Sequence, residues 1–275
     1  MSADADASSG AATGRPGGET GRPGDETAAD SLRRTGFAAW IEAVQVRRDP
    51  LLLVLLVALP AYFVGAWGVI VPDATMTASI PSGEGAQTVQ ASMPELIVAI
   101  IAPVAGALVV GITALFVVQR SRDVDGRLQI AGYRPVELLA ARLSLLGGIA
   151  VLVTVVTIAA SWIHLVPEHP LWFGLAVMLA GGIYGAIGAM LGLVLDRMPG
   201  VYSLLFAPII DVMILQSPLS EQPWWTAWLP GHHPAQLAAS AALADSVAIE
   251  HAAGGLAALL VLVGVVGVVT TYRMR

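Results

Sequence analysis

Six side chains in this sequence have types and settings that suit chemistry: Asp211 and the histidines His164, His169, His232, His233 and His251. Asp211 falls in the apolar stretch from Gly200 to Gln216 and is the one carboxylate placed well inside such a stretch. A charge at the centre of a bilayer costs about 3 kcal/mol on insertion scales, so a carboxylate there faces a cavity, a partner or water. It then serves as a polar point on a substrate path or as a protonatable site. The competing reading is that the stretch is short and Asp211 lies near its outer end. The histidines occur near Glu168 and Glu250, and imidazoles with carboxylates ligate transition metals or titrate near neutral pH. They are scattered over three stretches with no ligand spacing. The expectation is interfacial histidine and no metal site.

Other chemistries are excluded by what is missing. The chain has fourteen arginines and no lysine, so it cannot complete a P-loop, whose lysine contacts the phosphates. It has no His-Glu-x-x-His helix and no Gly-x-Ser-x-Gly elbow. Without cysteine it has no disulfide, thiolate ligand or cysteine nucleophile. No catalytic residue is expected, no cofactor is expected on the chain itself, and it is not expected to be an enzyme.

The elements that must position Asp211 and the histidines are membrane helices. Of 275 residues, 56% are hydrophobic and 12% charged, with a mean hydropathy of +0.74. That leaves too little polar surface for a soluble globule of this length. A span needs about 20 apolar residues, and the candidates are 51–71, 96–118, 143–163, 171–195, 200–216 and 253–272. With six spans, Arg33, Arg34, Arg47, Arg48, Arg120, Arg122, Arg127, Arg134, Arg142, Arg197, Arg273 and Arg275 all fall on one side and none on the other. Arginine beside a membrane segment stays cytoplasmic, so both termini are expected in the cytoplasm. The fifth span is the shortest and carries Pro208 and Asp211. Removing it would strand Arg273 and Arg275 outside, so the charge asymmetry retains it. Trp67, Trp162, Trp172, Trp224, Trp225 and Trp228 then gather toward the outer interface, as amphipathic rings do.

Residues 1–34 read as a disordered cytoplasmic tail rich in small and polar residues, with a tandem repeat from Thr13 to Glu26. Six acids against two arginines in residues 1–30 supply −4 of the net −6, so the charge does not point to nucleic acid. Residues 35–50 place Phe37, Trp40, Ile41 and Val44 at helical spacing, an amphipathic elbow in the interface that ends at Asp49-Pro50. The fourth span holds Gly181, Gly185, Gly188 and Gly192, two GxxxG pairs that admit a second backbone at close range. Packing within the chain is preferred to a dimer seam.

The richest polar element is the loop from Arg120 to Arg142. Acidic and basic groups precede Gly126, Leu128 and Ile130 follow, and Gly132-Tyr133-Arg134-Pro135 interrupts the helix before a new one enters the third span. Such a segment can present a short helix to a cytosolic partner. Together with the elbow ending Arg47-Arg48-Asp49-Pro50, Pro60 in the first span, and the outer stretch Trp228-Leu229-Pro230-Gly231-His232-His233-Pro234, this order of parts resembles the permease subunits of ABC-2 type exporters. The resemblance covers about residues 37–275 and lies in order and spacing.

What the resemblance implies is an all-α integral membrane protein of the bacterial plasma membrane. It has six transmembrane helices over 51–275 behind the elbow, and a re-entrant segment outside between helices five and six, matching 218–244. It also implies a second permease subunit, the same or related, and two copies of an ABC ATPase subunit that carry ATP and magnesium. The coupling positions carried over are Gly126, Arg127, Leu128, Ile130, Gly132, Tyr133 and Pro135. Few polar groups in the spans favour a hydrophobic or amphipathic substrate. The alternatives are a gradient-driven secondary transporter or channel, which usually shows internal repeats and intramembrane charges, and a membrane scaffold for an enzyme.

Overall fold

The computed structural model describes residues 50–130, 135–219 and 223–273. The tail, nearly all of the proposed elbow, and Gly132 and Tyr133 lie outside the described residues. The chain is mostly helical: α1 Pro50–Ile70, α2 Met93–Ile130, α3 Pro135–Ser161, α4 Pro170–Val194, α5 Arg197–Pro208 continued by a π-helical segment Ile209–Leu215, a 3-10 turn Trp224–Trp228, α6 His232–Leu243 and α7 Ile249–Arg273. Among the described residues, five helices are long and apolar enough to cross a membrane: α2, α3, α4, α5 with its continuation, and α7. In α1 a shorter apolar stretch, Leu56–Ile70, is of the same character.

The all-α expectation needs correction. Between α1 and α2 the chain forms an antiparallel hairpin, β1 Thr75–Ser82 and β2 Gly85–Ser92, paired from Thr75 opposite Ser92 to Ser82 opposite Gly85. The tight connection needs Gly85, whose φ of 118° is the left-handed backbone that favours glycine. Alternation turns Ala78, Ile80 and Ala91 inward, where they pack with Leu96, Ala239 and Ala244. The hairpin therefore lies over the C-terminal half of α6.

Helix α2 is the axis of the bundle. Of its most apolar window 89% is buried, against 67% for α4 and only 17% for α7. In a bilayer the apolar effect does not drive helices together, so close contact depends on small residues. α2 and α4 run parallel and meet through glycine. A Cβ at Gly181 would sit 3.0 Å from Val110, one at Gly185 3.1 Å from Val110, and one at Gly192 3.0 Å from the Leu115 carbonyl oxygen. At Gly188 it would overlap the Gly111 carbonyl oxygen outright. These four glycines face α2 within the same chain.

The helix α2 continues unbroken through Gly126, Arg127 and Leu128 to Ile130, and α3 starts at Pro135. Of the interruption read from Gly132-Tyr133-Arg134-Pro135, all but Pro135 lies outside the described residues, while the glycine at 126 breaks nothing. At this end Gln119 Nε2 donates to the Leu195 carbonyl oxygen at 3.1 Å, satisfying a carbonyl beyond the last turn of α4. The Arg197 guanidinium lies 4.7 Å from the Phe116 ring centroid.

The described part of 218–244 contains the 3-10 turn Trp224–Trp228 and α6, His232–Leu243. Every residue of α6 from Pro234 to Ala242 is buried, packed among α2, α4, α7 and β1. A helix apolar on all sides is an internal one; α6, at 12 residues, is too short to cross a bilayer at 1.5 Å per residue.

Candidate functional site

One group of buried and half-buried polar side chains, Tyr184, Asp211, Gln216, His232, His233 and His251, lies where the π-helical segment, the start of α6 and the start of α7 meet. Pro208 ends regular α-helix: lacking an N–H, it cannot make the bond to residue 204, and the backbone continues in the wider π register. Asp211 sits in the first turn of that segment and is 6% exposed. Its Oδ2 accepts from the Tyr184 hydroxyl of α4 at 2.5 Å and from the Gly231 amide at 2.7 Å. Tyr184 is itself buried. A side chain at 231 would clash with the carboxylate, since a Cβ there would stand 2.7 Å from Oδ2. Gly231 is needed for this close approach.

One turn further, Gln216 reaches both ways. Its Nε2 donates to the Thr226 carbonyl oxygen at 3.0 Å, and its Oε1 meets Nδ1 of His232 at 2.9 Å. His232 and His233 open α6 and His251 lies in the first turn of α7. The three imidazoles form a nearly equilateral triangle with ring centroids 5.3, 5.5 and 5.6 Å apart. Nδ1 of His233 and Nδ1 of His251 are 3.3 Å apart. Burial and the proximity of the other two rings push His232 down to about 4, and burial lowers His233.

Space for this triangle is made by glycine on α7: a Cβ at Gly254 would run into the His233 ring. The remaining histidines stay apart from it. His164 packs against Gly68 at the end of α1, and Nε2 of His169 lies 3.2 Å from the Asp245 carbonyl oxygen.

Of the residues singled out from sequence, Asp211 lies four residues before the end of its apolar helix, near the end as the competing reading has it, and is buried in a hydrogen-bonded pair. Three histidines expected to be scattered interfacial groups come together, His251 meeting His232 and His233 across 18 and 17 intervening positions. The backbone of Gly126, Arg127, Leu128 and Ile130 lies in α2, and Pro135 opens α3. Tyr184, Gln216, Gly231 and Gly254 escaped the sequence reading as site residues. The tight Pro230-Gly231 before two histidines is the one local signal that pointed there.

No protein-family model, curated protein or solved structure matches this chain.

Proposed function

We propose that this chain is the transmembrane permease subunit of an ATP-driven exporter of the ABC-2 type, with six spans and both termini in the cytoplasm of a bacterium. In this reading it pairs with a second permease, couples to two ATPase subunits, and moves a hydrophobic or amphipathic substrate outward. The observation that carries it is the helical stem at the arginine-bearing end. α2 runs twelve residues past Val118, where the apolar run stops, to Ile130. At 1.5 Å per residue that is about 18 Å of helix beyond the apolar stretch. It carries Arg120, Arg122, Asp123, Asp125 and Arg127 and returns through α3. A charged stem rigidly continuous with the axial helix suits the transmission of movement from a soluble motor. The chain lacks a lysine for a P-loop of its own.

The test is co-expression with the soluble ATPase encoded beside this chain. The expected results are co-purification, ATP-dependent transport of an amphipathic cargo in inside-out vesicles, and loss of coupled ATP hydrolysis in Tyr133→Ala. A chain that purifies alone and transports on a proton gradient would overturn the proposal.

The buried Asp211–Tyr184 pair favours one second reading, a gradient-driven carrier with Asp211 as its protonatable group. Asp211→Asn separates the two. Under the exporter reading transport falls by a moderate factor and still requires ATP, with unchanged membrane abundance. Under the carrier reading, coupling to the proton gradient disappears.

A further inference from the structure

We infer that His232, His233 and His251 form a binding site for one divalent transition-metal ion of the zinc class, which ties the start of α6 to the start of α7. One ring nitrogen from each histidine lies within 4.8 Å of one from each of the others. Zinc–imidazole bonds of 2.0–2.1 Å at a tetrahedral angle put two ligand nitrogens about 3.3–3.4 Å apart. The His233 and His251 Nδ1 atoms already stand at 3.3 Å. A ring nitrogen of His232 lies within 4.8 Å of one from each of them, in position to supply the third bond to an ion between them.

The chemistry of the donor set selects the class of ion. Three neutral nitrogen ligands without thiolate or a carboxylate cage suit zinc, copper(II) or nickel(II), and do not suit magnesium or calcium, which need oxygen. The surroundings have the form of a metal site as well. Ligating histidines usually donate their second ring N–H to a carbonyl or carboxylate, which fixes ring and tautomer. His232 has such a partner in Gln216 Oε1 at 2.9 Å, and with Nδ1 as donor its Nε2 carries the lone pair. Three ligands leave a fourth position open to water or to a ligand from outside the chain. The site does not depend on the exporter reading, since it requires neither an ATPase nor a substrate.

The experiment uses the full untagged chain in detergent micelles, freed of metal by a chelator, with zinc binding measured by calorimetry and by elemental analysis after dialysis. The expected stoichiometry is one zinc per chain. Cobalt(II) in its place should give the visible absorption of a four-coordinate site. His233→Ala and His251→Ala should abolish both signals, while His164→Ala and His169→Ala keep them. Gln216→Ala should weaken zinc by about 10- to 100-fold, the usual effect of removing an orienting partner. Zinc should also raise the midpoint of thermal unfolding of the wild type, a shift that the His251→Asn variant loses while still eluting as a single folded species. Absence of stoichiometric zinc from folded wild-type protein would overturn the site, as would equal binding by the variant lacking all three histidines.

Discussion

The two ends of this bundle solve opposite problems. At one end arginine is abundant and helices project: α2 runs on past its apolar stretch, and Arg197 covers Phe116. At the other end arginine is absent and the chain folds inward. The hairpin lies over α6, Asp245 and Ser246 fasten its turn through Gln87 and Gly83, and Asp211 Oδ2 takes both the Tyr184 hydroxyl and the Gly231 amide. Charge that must stay in water makes an extended surface; uncharged polar groups that enter an apolar bundle must find partners there.

If that contrast is right, damage at the inward-folding end should be far more costly. The largest effect is expected for Asp211→Ala, which strands the Tyr184 hydroxyl and the Gly231 amide. At about 1–3 kcal/mol for each buried donor left unpaired, the loss is roughly 2–6 kcal/mol, read as thermal or denaturant unfolding in detergent. A variant as stable as wild type would show that the carboxylate is not part of a structural pair.

Between the ends, Gly188→Ala forces a methyl group into the Gly111 carbonyl. Overpacking of this kind costs about 1–3 kcal/mol. The matched control is Gly147→Ala on α3, where nothing stands within 4 Å of the added atom. That change should be neutral or stabilising by up to about 1 kcal/mol through helix propensity. Equal effects at the two positions would remove the α2–α4 seam from the account. The smallest effect belongs to the arginine end: Arg197→Ala gives up one exposed contact with Phe116 and should change stability by about 0.5–1 kcal/mol.

Much of the frame was legible because hydropathy is additive along the chain. The run 171–195 announces α4 within a residue or so, the run 96–118 announces the apolar part of α2 but not its twelve further residues, and the glycines of the fourth stretch announce close approach. The hairpin was harder to see. Its strands are Thr, Ser, Gln and Ala with few bulky residues, so the alternation of Ala78, Ile80 and Val89 is faint, although Ser82-Gly83-Glu84-Gly85 is a recognisable turn. The reach of α2 through Gly126 was hidden because glycine lowers helix propensity without forbidding helix. The site itself could not be read locally. Tyr184 and Asp211 are 27 positions apart, and His251 meets His233 only because α6 turns back into the bundle. Such pairs are products of packing, for which a single sequence has no period to show.

The claim that organises all of this is that the arginine-bearing end faces the cytoplasm and the inward-folding end faces out. The chain has no cysteine, so single cysteines report without background. Glu84→Cys at the exposed hairpin turn and Asp196→Cys at the exposed start of α5 can be treated in intact cells with a charged maleimide that does not cross the bilayer. The account predicts that position 84 labels in intact cells and that position 196 labels only after the membrane is opened. Labelling of position 196 from outside, with position 84 protected, would contradict it.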